Sequence, residues 1–446
     1  MDNYALVNDI ASVWKYADEM FPAFGSISID WDGAFGPFLP RALAAKDEKE
    51  AQLLLCEFLN LLEDGHTDYT PPRAFRDGIG YLPFEPDYAG GKWHIGGANE
   101  ALSAHIGAEI ISINGKSMDD IAAALYPYAY HVGNFIYPSR MSTLLPMFLS
   151  KTGNVLKTAN GEAEFDLAEA QSAMQPTPAP AASRAFAHTG EGKLKMRLYS
   201  GNILYVKWDD CLYDKASDEI RAAIAKHSPA GVVLDMRANI GGMTMYGGKV
   251  AELFIDGEFH GSQKRTRLTK GIDLASASQL VGICSPQTIE KYIEQGLCGR
   301  EEAEQSRTIW QKQNCEHYVD TYGAPNHKAL YHGPLTVLTS RRTISAAEDI
   351  VAMFKSNDRA ALIGEPTCGT TGTPLLLRLS MGGMARICSV RYALLDGTEF
   401  IGRGIAPHVA VSVPYGPHDA VLGTALEPYF TLNQKPPHDT NAEAVP

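Results

Sequence analysis

The chain of 446 residues contains no HExxH and no CxxC, so neither a zincin-type metal helix nor a paired-cysteine zinc site is written into it. It has no basic cluster either. The 39 Lys and Arg stand against 52 Asp and Glu, a net charge of −13, which argues against nucleic acid or an anionic membrane surface as a partner. No apolar run approaches the roughly twenty residues of a membrane helix, and Ala122-Ala123-Ala124-Leu125 soon meets Pro127. The opening Met1-Asp2-Asn3-Tyr4-Ala5-Leu6 lacks the basic start and apolar stretch of a secretory signal. The expected location is therefore cytoplasmic as written, or extracytoplasmic if a signal has been removed. Seven cysteines at irregular spacing make no disulfide framework, and free buried thiols are the expectation.

What is present describes a soluble, enzyme-sized chain: 45% hydrophobic and 20% charged residues, enough to bury a sizeable core in two or three domains. Punctuation divides it. Residues 1–75 read as a helical module ending at Pro71-Pro72, and 78–175 as a mixed segment in which Ile110–Ile113 is a strand followed by an Asn114-Gly115 turn. The Pro- and Ala-rich stretch 175–182 reads as a linker. From 190 to 432 strand and helix patterns alternate (Ile203–Val206, Asp214–Lys226, Val232–Met236), as in an α/β core. Within it, 256–332 is too long for bare loop and reads as a helical insertion, a candidate lid over a cleft. The tail 433–446 is expected to be disordered.

The most telling segment joins the apolar run Pro334–Thr339 to Ile350–Phe354 through Arg341-Arg342-Thr343-Ile344-Ser345-Ala346-Ala347-Glu348-Asp349. A serine at a strand-to-helix junction stands where helix N–H groups lack partners and the dipole favours negative charge, which suits a nucleophile and the oxyanion it creates. Ser345-x-x-Glu348 is equally the signature of a capping box. Two further segments bear on the choice. His66, in Asp64-Gly65-His66-Thr67-Asp68, opens the loop after a helical pattern, where an imidazole can act as general base; it reads otherwise as a turn histidine, and Asp64-x-His66-x-Asp68 as the start of a metal site. The buried strand leading to Asp235-Met236-Arg237-Ala238-Asn239-Ile240-Gly241-Gly242 ends in a glycine pair whose unshielded N–H groups suit an oxyanion hole beside Ala346, or simply a tight turn held by Asp235 and Arg237.

These segments, with Ile29–Asp32, Gly107–Lys116, Ile363–Gly369 and Gly404–Pro407, resemble the carboxy-terminal-processing and tricorn-core serine peptidases, in the same order along nearly the whole chain. The resemblance implies a ClpP/crotonase-like α/β core, an N-terminal helical module, a PDZ-like module, a polypeptide substrate, and no metal or organic cofactor. It also implies a catalytic design. Where one branch carries a lysine base, this chain has Thr370; the other branch uses a histidine of Asp-Gly-His-Thr type, matched by His66, with a late glutamate. That glutamate position falls on Ile401, so Glu399, two residues earlier on an extended segment, is the candidate orienting carboxylate. His408 stands where the family usually has aspartate. The implied activity is endopeptidase cleavage by Ser345 with His66 as base, falling as pH drops through about 6.5. The rival is a non-catalytic protein on the same fold that binds peptides or apolar ligands, as the retinoid-binding repeats do.

Overall fold

The computed structural model describes residues 2–169, 175–176, 185–188, 194–266, 269–310, 321–412 and 419–432. Most of the expected linker and the whole of the expected disordered tail lie outside them, as does Cys315. Among these residues no helix is long and apolar enough to cross a membrane.

The α/β core is a seven-stranded sheet in the order 185–188, 195–199, 203–207, 231–235, 335–339, 361–364, 409–410. The first three strands pair antiparallel and all later neighbours pair parallel, with Val233 opposite Thr336 and Val337 opposite Leu362. Gly231–Asp235 and Leu335–Thr339 are buried on both faces, as continuous apolar runs in parallel sheets require. Alternation sends Val232, Leu234 and Val337 to one face, under helices Ala216–His227 and Ala346–Ser356. It sends Val233, Leu338 and Ile363 to the other, under the C-terminal helix Ala420–Leu432.

A second apolar core belongs to the N-terminal half. Helices Asn3–Met20, Trp31–Ala44 and Glu48–Asn60 share it with the hairpin Phe84–Ala89/Lys92–Ala98 and with a four-stranded antiparallel sheet containing Ile110–Ile113 and Asn154–Thr158. The Asn114-Gly115 turn is there, both residues at positive φ (50° and 76°). This core also takes Leu375, Ala385, Ile387 and Cys388 from the hairpin Pro374–Arg378/Met384–Cys388, a late segment that sequence reading left in the α/β half.

The described part of the insertion is helical, with Thr269–Ala277, Pro286–Glu294 and Arg300–Trp310. None of its described residues, a candidate lid by sequence, lines the cavity at Ser345 or the larger cleft beside it. Gly271 packs so closely on Met20 that a Cβ would lie 2.8 Å from the methionine Cβ, and Gln279 Nε2 donates to Pro374 O at 3.1 Å. It clasps the N-terminal helix to the 374–388 hairpin.

At the end of strand Gly231–Asp235, Arg237 donates to both oxygens of Asp235 and to both of Asp419, and Tyr205 donates to Asp235 Oδ2 at 2.6 Å. These two charges hold the turn, as read from the sequence, and also fasten the C-terminal helix. Arg237→Ala leaves the buried Asp235 carboxylate unpaired and is expected to cost about 3–5 kcal/mol. Urea denaturation measures it; a loss below about 1 kcal/mol would show the pair to be dispensable.

Candidate active site

The strand Leu335–Thr339 delivers the chain to a loop tied to its neighbours by backbone-directed bonds. Ser340 Oγ donates to Arg237 O (2.6 Å), Thr343 Oγ1 to Met236 O (2.9 Å) and Ile344 N to Asn239 O (3.1 Å). Ser345 follows at φ 61° and ψ −130°, a conformation rarely adopted by residues with a side chain, and the helix Ala346–Ser356 begins at the next residue. There is no capping box. Ser345 Oγ makes no cap hydrogen bond, and the Glu348 N–H donates instead to the Ser345 carbonyl at 2.7 Å.

The hydroxyl meets the base candidate. Ser345 Oγ lies 2.9 Å from His66 Nε2, across 279 residues of sequence. His66 comes from the N-terminal half and is only 4% exposed. Asp64 Oδ1 accepts from the His66 N–H (2.9 Å) and from Thr67 Oγ1 (3.1 Å), while Thr67 Oγ1 also accepts from Cys388 N (3.0 Å), seating the loop on the 374–388 hairpin. Asp68 pairs with Arg386, and at 3.8 Å with Arg140. Burial alone would raise the Asp68 pKa, but the charges of Arg386 and Arg140 hold it well below the usual carboxylate range. Burial raises that of Asp64. Both carboxylates therefore have structural partners, and among the described residues no group of His, Cys, Asp and Glu is placed to hold a metal ion.

Burial, aided by the positive charge of Arg386, pushes His66 down to about 3. The imidazole is neutral throughout the ordinary pH range, so the acid limb expected near 6.5 from an unperturbed histidine moves well below that value.

Glu399 is not brought to His66. It lies 41% exposed, paired with Arg265 (2.7 Å) and Arg391 (3.3 Å), which outweigh its partial burial and lower its pKa. The short strands Gln263–Arg265 and Arg391–Ala393 pair with each other and offer these two guanidiniums to it. In its place, His66 Nδ1 faces Thr370 Oγ1 at 2.5 Å. Glu348, read as half of a capping box, is wholly buried and accepts from Thr367 Oγ1 (2.5 Å), Gly369 N (2.8 Å) and Thr370 N (2.8 Å). Burial pushes it up to about 8 against these three bonds. Sequence reading missed both roles. Thr370 stood out only as an absent lysine, and Glu348 only by its spacing from Ser345.

Of the oxyanion candidates, Gly241 has its N–H committed to Asn239 Oδ1 at 2.9 Å. Its contribution is steric: a Cβ there would lie 2.7 Å from both Ile344 O and Ser345 Cβ, at a backbone φ of +85°. Gly242, at φ +140°, packs on Cys211 and Leu212, and Ala346 is the first helical residue, where an N–H has no intrahelical partner. Gly241→Ala is expected to displace Ser345 and lower kcat by about 100-fold while the protein stays folded, since a misplacement of about 1 Å costs that much. Steady-state kinetics beside circular dichroism test it; near-normal kcat would mean the loop has slack.

The site opens into a cavity of about 290 Å3 lined by Tyr130, Val132, Phe135, Tyr137, Ile344 and Cys368. Burial holds the Cys368 thiol well above its ordinary pKa, so it is an apolar wall rather than a second nucleophile. Tyr137, Ser139 and Ile240 also border a larger cleft of about 660 Å3, whose lining includes Arg342 and Asp87, paired at 2.9 Å.

Residues 202–411 match Peptidase family S41. The chain is 24% identical over 319 residues to carboxyl-terminal-processing peptidase 3, chloroplastic, of Arabidopsis thaliana, covering 70% of this chain and 48% of that one. It is 24% identical over 218 residues to the C-terminal processing peptidase, chloroplastic, of Tetradesmus obliquus, covering 48% and 36%. It thus spans about a third to a half of the length of these curated relatives. Among solved structures it is similar in fold to mature CPAF, at a TM-score of 0.70 and 14% identity over 97% of each chain. Ser345, Gly241, Glu348 and Thr370 all lie within the stretch that matches Peptidase family S41.

Proposed function

We propose that this protein is a serine endopeptidase in which Ser345 is the nucleophile and His66 the general base. The observation that carries the reading is the 2.9 Å contact between Ser345 Oγ and His66 Nε2, made by residues whose chain neighbours, Leu62 and Tyr69 for one and Ala346 and Ala347 for the other, pack in two separate apolar cores. Local packing gives no reason for these two to meet. The substrate is a polypeptide, in keeping with the family and with the names of the relatives, and no metal or organic cofactor is required. The PDZ-like character of 78–175 and the division into modules at 1–75, 78–175 and 190–432 belong to this reading.

In acylation, Ser345 Oγ bonds to the scissile carbonyl carbon as its proton passes to His66 Nε2. The carbonyl π pair moves onto oxygen, stabilised by backbone N–H groups, with Ala346 and Gly242 as candidate donors. The C–N bond then breaks and His66 returns the proton to the leaving amine. Water repeats the sequence on the acyl-serine, giving its proton to His66 and releasing a carboxylic acid with Ser345 restored.

A fluorophosphonate probe tests this directly. A mass increase on the peptide containing Ser345 is the expected result. Absence of labelling in well-folded protein would favour the ligand-binding alternative.

A further inference from the structure

We propose that Thr370 is the positioning residue for His66, a neutral hydroxyl doing what a carboxylate does in a Ser-His-Asp triad, and that Glu348 anchors it. The inference rests on the Ser345 and His66 assignment and extends it. For Nε2 to accept the serine proton, Nδ1 must carry the ring hydrogen and donate it to an acceptor. The group at Nδ1 is Thr370 Oγ1, at 2.5 Å.

Three contacts fix Thr370, two through its backbone and one at the hydroxyl. The Thr370 N–H donates to Glu348 Oε2 in the first turn of the serine helix (2.8 Å), and the Thr370 carbonyl accepts the N–H of Ser345 itself (3.0 Å). On the third side lies Gly65, where a Cβ would come within 2.7 Å of Thr370 Oγ1, so only glycine before His66 permits this approach. Glu348 steadies the same loop through Gly369 N and Thr367 Oγ1. One residue thus gauges the nucleophile, its helix and the base loop together. A carboxylate can only accept, which enforces the productive tautomer; a hydroxyl can accept from Nδ1–H or donate to a bare Nδ1. Thr370 therefore aligns the ring without adding a charge to stabilise the imidazolium.

The test compares Thr370→Val, Thr370→Ser, Glu348→Gln and Ser345→Ala in full-length protein, by peptide hydrolysis and by 15N NMR of the histidine ring. Thr370→Val should lower kcat by at least about tenfold, with KM within about twofold, and Thr370→Ser should restore most of the rate. Glu348→Gln places an amide N–H2 against one of the N–H donors and should shift kcat in the same direction. In the wild type, the His66 ring should be protonated at Nδ1. A wild-type kcat in Thr370→Val beside an inactive Ser345→Ala would overturn this inference and leave the peptidase reading intact; full activity in Ser345→Ala would overturn that reading itself. Should Thr370→Val fail to fold, a wild-type ring protonated at Nε2 would refute the proposal unaided.

Discussion

Ser345→Ala is expected to reduce hydrolysis of an unstructured protein by on the order of 10^4–10^6-fold, the scale seen when a serine nucleophile is removed. The folded state should barely notice. The hydroxyl caps no N–H, so the usual cost of about 1 kcal/mol for losing a serine cap does not arise, and the strained φ of 61° is the same for alanine as for serine. The pairing of large catalytic loss with small stability loss is what separates nucleophile from cap. Turnover by purified Ser345→Ala at more than a few per cent of the wild-type rate would end the assignment.

His66→Ala should fall nearly as far, because Ser345 would lose the imidazole nitrogen that contacts its hydroxyl. The pH dependence carries a second, sharper expectation. With the folded imidazole at about 3, kcat/KM at pH 5 should stay close to its value at pH 7, without the acid limb near 6.5 of a solvated histidine. Stability runs the other way. In the unfolded chain the imidazole takes up a proton below about 6.5, whereas in the folded protein it does so only near 3. Across that window the unfolded state binds more protons, so His66 makes the protein progressively less stable as pH falls. Activity holding at pH 5 while the urea midpoint declines would be the joint signature, with His66→Ala removing that part of the decline. An acid limb at 6.5 would place His66 in water, contrary to its burial.

Much of this was legible in the sequence, and the reason is local. The strand run at 335–339, the helix after Ser345 and the glycine pair at 241–242 are each encoded by neighbours in the chain, and the structure has them where periodicity and turn chemistry put them. The partner of His66 Nδ1 is encoded by nothing local. Thr370 is 304 residues away and reads as an ordinary loop threonine; its part depends on where Gly65 and Glu348 leave room for it. Glu399 failed for the complementary reason: the alternation that makes it a plausible neighbour is blind to Arg265 and Arg391, which claim it first. The capping-box spacing at Glu348 was real, but burial gave its carboxylate three other donors.

If the chain is the peptidase proposed here, the seating of His66 on the 374–388 hairpin bears on when in synthesis activity is gained. During synthesis the base emerges early and the nucleophile late, yet neither order nor proximity suffices: Thr67 needs Cys388 N, and Asp68 needs Arg386. A nascent chain ending just short of residue 386 carries His66, Ser345 and Thr370 but lacks both contacts that seat the His66 loop on the hairpin. On the proposed peptidase reading, products truncated before residue 388 are expected to lack hydrolytic activity, because the contacts that seat His66 come from the 374–388 hairpin.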